Sequence, residues 1–241
     1  MAHSAGKDQH GDPSVRRSRI ALITYDVPPR KTQDVLLRMI WRGCSNVVLV
    51  VTPFKARTSR EVLFQHRPSQ LTGPAPTSLA SRFDLNILPI EDWRSYRGDF
   101  EFFLVCGSGL IDPEFCQTAR IVNCHPGLIP QCRGLDAFKW AIHDGLPIGN
   151  TLHFIDQQVD LGEVYHHQIT DVFPDDDLAS FAERHYAAEI HLLSHFDCYL
   201  RDGKIFDLPI GLPRKRMPRD TEALLVSRFD IYKDKVHRKA R

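Results

Sequence analysis

No stretch of this 241-residue chain stays apolar for long. The longest aliphatic run, Val47 to Val51, falls far below the roughly 18 to 20 residues that cross a bilayer, which excludes a transmembrane helix. The text from Met1 through Lys7, Asp8 and Asp12 to Arg16 and Arg17 lacks the apolar centre of a secretory signal, so a cytoplasmic protein is expected. Charge of one sign is scarce too: 31 Lys and Arg against 30 Asp and Glu leave a net +1, which speaks against a strongly basic nucleic-acid binder. The six cysteines (Cys44, Cys106, Cys116, Cys124, Cys132 and Cys198) form no C-x-x-C pair, so reduced structural thiols are expected rather than a disulfide or zinc framework. Repeats and low-complexity tracts are missing as well. What is present, 42% hydrophobic and 25% charged residues, is the balance of an ordinary globular core.

Up to about residue 18 the text is polar and without hydrophobic period, and a flexible tail is expected. A domain then runs over 19–205 and a short basic extension over 206–241. Ile20 to Thr24 reads as a buried strand, Gln33 to Arg42 as an amphipathic helix and Asn46 to Thr52 as a second buried strand. Pro53, Lys55, Arg57, Arg60, His66, Arg67, Pro68, Gly73 and Pro74 follow, a long basic loop before a short helix at Ser78 to Phe83. Further strands are expected at Asn86 to Pro89 and Phe102 to Cys106, where little alternation implies burial on both faces. Then come Ile121 to His125, a helix from Asp136 to Asp144 stopped by Gly145, and a strand from Thr151 to Asp156. A helix over Leu178 to Leu200, with Asp177 as N-cap and Gly203 as breaker, completes the pattern. The fold class read from this order is α/β, an open, mostly parallel twisted sheet with helices on both faces. Beyond Gly211, ten Lys and Arg stand against four acids, a charge run expected to be a solvated terminus.

The informative text is Asn123-Cys-His125-Pro126-Gly127-Leu128-Ile129-Pro130, then Arg133-Gly134, then Asp160-Leu161-Gly162, the Asp 35 residues after the His. Positions i and i+2 of a strand share a face, so Asn123 and His125 project together from a strand end, where open parallel sheets bind ligands. An amide and an imidazole can hydrogen-bond a developing oxyanion, and a carboxylate from a neighbouring loop can fix the imidazole tautomer. That trio suits acyl transfer to an amine. On the residues alone, an Asn-x-His pair reads more often as a satisfied polar pair at a strand end, and the Asp more often as a turn residue. Metal readings fail: His166 and His167 are adjacent and point to opposite strand faces, while His191 and His195 lack the intervening carboxylate of H-E-x-x-H and a third ligand. Gly107-Ser-Gly109 is too short for a dinucleotide fingerprint and reads as a tight turn.

N-x-H-P-G-L-I-P, then R-G, then G-N-T-L-H-F-I-D-Q-Q-V-D-L-G resembles the signature of the N10-formyltetrahydrofolate-dependent formyltransferases, over roughly Phe102 to Gln168. The resemblance implies a Rossmann-like formyltransferase fold, N10-formyltetrahydrofolate as donor, no metal, and small-molecule substrates rather than nucleic acid or membrane. It also implies roles. Asn123 and His125 polarise the formyl carbonyl and hold the oxygen of a tetrahedral intermediate, and Asp160 orients His125 and helps remove the amine proton. The pterin would lie between the segment Cys106, Gly107, Gly109, Leu110 and Ile111 and the loop Asp156, Val159 and Gly162, held largely by main-chain groups. Pro126, Gly127, Arg133 and Gly134 would face the acceptor.

Within that superfamily, methionyl-tRNA enzymes carry a further C-terminal barrel, whereas only about forty residues follow Lys204 here, so a tRNA acceptor is not expected. Glycinamide ribonucleotide enzymes have a Gly-Ser-Gly-type phosphate loop after the first strand; Tyr25-Asp-Val-Pro-Pro29 stands here instead. H-P-G, R-G and the short span from His125 to Asp160 match the enzymes acting on nucleotide-linked amino sugars. Leu135-Asp136 and Asn150 depart from them, the usual aromatic after Arg-Gly and the usual valine before Thr151 being absent. Arg57 and Arg67 in the basic loop suit a nucleotide diphosphate. The expectation is a formyltransferase acting on a nucleotide-linked amino sugar, with a homodimer possible through the long helix and the C-terminal segment. The alternatives are another small amine, such as a glycinamide ribonucleotide-like acceptor, or a catalytically silent binding module.

Overall fold

Strands that are apolar without alternation call for a sheet covered on both sides. The computed structural model, which describes residues 13–55, 62–67, 69–96, 99–156, 160 and 162–239, contains one. The chain runs α1 (Pro13–Arg17), β1 (Ile20–Tyr25), α2 (Arg30–Trp41), β2 (Val47–Thr52), α3 (Pro76–Phe83), β3 (Asn86–Pro89), a 3-10 turn (Trp93–Ser95), β4 (Phe102–Val105), α4 (Pro113–Thr118) and β5 (Ile121–His125). It continues through β6 (Arg133–Gly134), α5 (Ala137–Asp144), β7 (Gly149–Phe154), β8 (Val164–Ile169), α6 (Leu178–Ser194), α7 (Phe196–Asp202), β9 (Pro213–Arg214), α8 (Arg219–Ala223) and α9 (Leu225–Lys239).

The main sheet has the order β3-β2-β1-β4-β5-β7-β8. Its first five strands are parallel, and β7 and β8 are added antiparallel. The order reverses between β1 and β4, so the carboxyl edge of these strands opens into the crevice where such sheets take ligands. On one face Leu22, Leu36, Met39, Leu49, Leu104, Cys124 and Leu193 form the core shared with α2 and α6. On the other, Ile23, Val50, Trp93, Phe103 and Ile121 pack together. A third cluster joins Phe138 of α5, Phe181 of α6 and Met217, Leu225 and Phe229 from the C-terminal segment. The basic C-terminal text therefore carries an apolar stripe that is part of the core. Buried inside that cluster, Lys139 pairs with Glu222.

The helix expected over 178–200 is two helices. Asp177 caps α6 with Ser180 in a reciprocal capping box, but His195 leaves helical geometry at φ −117° and ψ 23°. The break turns Phe196 onto Phe102, with ring centroids 4.9 Å apart, and Asp197 onto Arg42 at 2.8 Å. Gly145 ends α5 in the left-handed conformation at φ 65°, as expected of a helix stop. Of the tail expected up to residue 18, residues 1–12 lie outside the described residues, whereas 13–17 form α1, with Val15 in the main core. All six cysteines are buried and none forms a disulfide. Among the described residues no helix is long and apolar enough to cross a membrane.

Candidate active site

Val122 and Cys124 of β5 point into the α2–α6 core, so the alternation of the strand turns Asn123 and His125 to the opposite face. There they meet β7, which pairs Asn123 with His153 and His125 with Thr151. The Asn123 amide donates from Nδ2 to His153 Nε2 at 3.2 Å. His153 Nδ1 in turn donates to the Phe154 carbonyl at 3.0 Å, which leaves Nε2 as the acceptor. Burial and the neighbouring His125 bring the His153 pKa down to about 4, so this neutral tautomer is the one present and it fixes the orientation of the Asn123 amide.

His125 is buried, and both of its ring nitrogens face acceptors. Nε2 donates to the Cys132 carbonyl at 3.0 Å, and Nδ1 stands 3.4 Å from Asp160 Oδ1. Both contacts are favourable together only when the ring is protonated. Burial lowers the His125 pKa, Asp160 and the Cys132 carbonyl raise it, and the net direction is downward. The result is an imidazole that gives up a proton readily beside a carboxylate. Asp160 sits in the left-handed region at φ 50°, and its Oδ2 accepts the Gly134 N–H at 2.7 Å. The structure thus brings together Asn123, His125, Asp160 and Gly134 from three separate stretches of sequence.

The loop after β5 is closely held. Thr151 Oγ1 donates to the Gly127 carbonyl at 2.6 Å and accepts the Ile129 N–H at 3.0 Å. A Cβ on Gly127 would lie 2.7 Å from the Cys132 carbonyl oxygen and 3.0 Å from His125 Nε2, so only glycine fits there. Pro126 is half-buried beside it. The Arg133 guanidinium donates to the Gly211 carbonyl at 3.3 Å.

On the other flank of β5, the Cys106 and Gly107 N–H groups both donate to the Ile23 carbonyl, at 2.9 and 3.0 Å. Burial pushes the Cys106 thiol up to about 12, so it acts as an apolar group. The Tyr25 ring covers Gly107, and its hydroxyl donates to the Ser108 carbonyl. Gly109 has open space where a Cβ would stand, and Leu110 is 96% exposed. Ile111 packs with Cys116, Ile121 and Ile155, and Asp156 is exposed next to that cluster. Gly162 lies under the Phe154 carbonyl with no room for a side chain. Val159 and Arg57 lie outside the described residues.

Arg67 reaches inward. Its Nε and Nη2 bond both oxygens of Glu189, each at 2.7 Å, and Lys31 Nζ meets the same carboxylate at 2.6 Å. Burial alone would raise the Glu189 pKa; Arg67 and Lys31 outweigh it and hold it at about 2. Among the described residues no three His, Cys, Asp or Glu side chains gather as a metal site. His167 is spent on backbone, donating from Nε2 to Ile129 at 2.7 Å and accepting the Phe206 N–H at 2.9 Å. His191 and His195 stack with centroids 4.2 Å apart.

Three members of this neighbourhood escape a reading of the sequence: His153, Thr151 and Glu189. The first two carry a usable signal, since they are two apart on the strand that pairs with Asn-x-His. Glu189 carries none, because its partners come from residues more than a hundred positions away.

A family model described as formyl transferase matches residues 29–196. The chain is 26% identical over 173 residues to a methionyl-tRNA formyltransferase of Coprothermobacter proteolyticus, covering 67% of this chain and 54% of that one. It is 37% identical over 92 residues to a trifunctional purine biosynthetic protein adenosine-3 of Chironomus tentans, covering 36% of this chain and 7% of that one. The chain therefore spans about half of the former and a small part of the latter. In fold it is similar to a sugar N-formyltransferase from Shewanella sp FDAARGOS_354, with a TM-score of 0.58, 16% identity and 87% of each chain covered. It is likewise similar to glycinamide ribonucleotide transformylase 1 from Geobacillus kaustophilus, with a TM-score of 0.53, 20% identity, and 77% of this chain and 98% of that one covered. With the family model covering most of the domain and the open sheet shared with these structures, the chain belongs to the formyl transferase family.

Proposed function

We propose that this protein transfers a formyl group from N10-formyltetrahydrofolate to the amino group of a nucleotide-linked amino sugar. The observation that carries the reading is the meeting of Asn123, His125 and Asp160 at the carboxyl edge of β5, with His125 Nδ1 3.4 Å from Asp160. The segment after β4 suits a donor held by main-chain groups: Gly109 is exposed, with open space where a Cβ would stand. Bound there, the folate supplies the formyl carbon.

The amine nitrogen attacks that carbon, and the carbonyl electron pair moves onto the formyl oxygen. Asn123, its amide fixed by His153, donates an N–H to this oxygen, and His125 exchanges the Cys132 carbonyl for it. Asp160 takes the proton from the acceptor nitrogen, directly or through water. As the bond to N10 breaks, a proton must reach that nitrogen; the proton that Asp160 took from the acceptor passes to His125 Nδ1, 3.4 Å away, and His125 delivers one from Nε2 to N10. Arg67 is close enough for its charge to act on His125, but it and Lys31 are held by the buried Glu189 carboxylate, so the phosphate contact expected of Arg67 would require it to leave that pair. The same chemistry on a smaller amine is the second reading, because the family also includes enzymes of that kind. A homodimer belongs to the proposal and rests on the sequence alone.

The test mixes the protein with N10-formyltetrahydrofolate, a panel of nucleotide-linked amino sugars and glycinamide ribonucleotide, and looks for formylated product by mass spectrometry. One sugar product, lost in His125→Ala, is the expected result. Product from glycinamide ribonucleotide alone would overturn the acceptor class. Failure of the protein to bind the donor in a parallel titration would overturn the transferase reading.

A further inference from the structure

The loop of residues 130–136 carries both contacts that set the His–Asp pair. The Cys132 carbonyl takes His125 Nε2 at 3.0 Å, and the Gly134 N–H takes Asp160 Oδ2 at 2.7 Å. This loop is too short to hold its own shape, and its two-residue strand β6 finds a partner some eighty residues on. Arg133 and Gly134 pair in parallel register with Pro213 and Arg214 of β9. On either side of that pairing the Gly211 N–H donates to the Pro130 carbonyl and the Leu135 N–H to the Arg214 carbonyl, both at 2.9 Å. Met217 N–H donates to Asp136 Oδ2 and Trp140 Nε1 to the Lys215 carbonyl, again both at 2.9 Å.

We propose that residues 211–217 are a positioning strap: by clamping the 130–136 loop they aim the Gly134 N–H that places the Asp160 carboxylate against His125. The inference rests on the reading of His125 and Asp160 as the catalytic pair, and it adds a segment that touches neither substrate nor reacting atoms. Its chemistry is main-chain recognition. Ile210 and Leu212 are 79% and 84% exposed, so their side chains do not hold the strap down. Close approach does, and it demands glycine on both sides. Gly134 has φ +85° and its Cβ would strike the Arg214 backbone, while a Cβ on Gly211 would strike the Gln131 carbonyl. The far end is anchored by Met217, fully buried, and by the Arg214 guanidinium, 4.5 Å over the Trp140 ring and 2.6 Å from Asp144. Asp160 needs such outside support: it occupies a left-handed conformation at φ 50° that a non-glycine residue keeps only when its surroundings fix it.

The test uses the full chain without substrate, following His125 by NMR through a pH titration. Asp160→Asn removes the carboxylate and sets the reference shift, a fall in the His125 midpoint, because Asp160 favours the protonated ring. Gly211→Ala pushes the strap off Gln131 and is expected to give half or more of that fall; Arg214→Ala releases one anchor and gives a smaller fall in the same direction. Leu212→Ala leaves the midpoint where it is. Folded Gly211→Ala and Arg214→Ala proteins with the wild-type midpoint would overturn the strap, and if Gly211→Ala does not fold, Arg214→Ala decides. An unchanged midpoint in Asp160→Asn would instead remove the His–Asp pair itself. Formyl transfer has no part in this readout, so an error in the acceptor class leaves the result interpretable.

Discussion

Glu189 and Arg67 form a bidentate pair, both carboxylate oxygens 2.7 Å from the guanidinium nitrogens. The pair closes the long basic loop onto α6 beside the catalytic strand. Glu189 is fully buried and Lys31 shares it, so the carboxylate neutralises two cations at once.

Breaking this cluster from its acidic side is the costliest change. Glu189→Gln keeps the shape but strands Lys31 and Arg67 without their counter-charge, which for a buried pair costs about 3 to 5 kcal/mol. Arg67→Ala leaves Lys31 on Glu189 and costs less. Urea unfolding at pH 7 checks the order: the Gln variant should have the lower midpoint of the two.

Asn123 and His153 separate contact from orientation. Asn123→Ala removes a donor to the developing oxyanion and should lower kcat about 10²- to 10³-fold. His153→Phe keeps the ring volume but removes the acceptor that aligns the amide. Losing one neutral hydrogen bond of about 0.5 to 1.5 kcal/mol predicts a drop of about 2- to 10-fold in kcat, with the donor KM unchanged. Steady-state kinetics on the acceptor found by mass spectrometry distinguishes the two.

The parallel half of the sheet was legible because its strands are short, continuous apolar runs, and β1 and β2 lie within a residue of where Ile20 to Thr24 and Asn46 to Thr52 place them. Asp177 and Gly145 marked helix ends for the same reason, each supplying a group that only a helix terminus uses. Elements held by distant partners were not legible. The strand β8 is Val-Tyr-His-His-Gln-Ile, polar in text because His167 spends both ring nitrogens on backbone from other segments. The basic residues of α9 disguise Leu225, Phe229 and Tyr232, which are spaced to share one helix face and are all buried. The Asn-x-His face could be read directly, since strand alternation alone creates it. The clamp on Asp160 could not, because Gly134 and Arg214 are brought together only by the fold.

Acid should weaken the protein before any buried carboxylate is protonated. Burial brings His185 down to about 3, and burial with His125 nearby brings His153 down to about 4. Below the unfolded value of about 6.5 the unfolded chain binds protons that the folded one refuses, so stability falls with pH. With the unfolded state fully protonated, two such residues contribute a slope of up to about 2.7 kcal/mol per pH unit, acting from about pH 6.5 to about pH 4. Glu189 acts in the same direction over a lower window: its contribution is whole above about pH 4.5 and is lost toward its folded value of about 2. Chemical denaturation at pH 7, 6 and 5 should show a falling unfolding free energy, and His185→Phe should flatten the slope; a flat wild-type profile would rule out these buried neutral histidines.

Thr151 offers the sharpest test of the loop behind the catalytic histidine. Its hydroxyl donates to the Gly127 carbonyl and accepts the Ile129 N–H, both buried, so one oxygen satisfies two backbone groups that face no water. Thr151→Val is nearly the same shape and leaves both groups unpaired, at about 1 to 3 kcal/mol each before relaxation. Thr151→Ser retains the hydroxyl and loses only a buried methyl, at about 1 kcal/mol. If the hydroxyl is what matters, Val should be less stable than Ser by about 2 kcal/mol or more and should lower kcat, because Gly127 lies so close to the catalytic ring that a Cβ there would stand 3.0 Å from His125 Nε2. Thermal unfolding and kcat measured on the two variants would give the reverse order if the methyl were the important group.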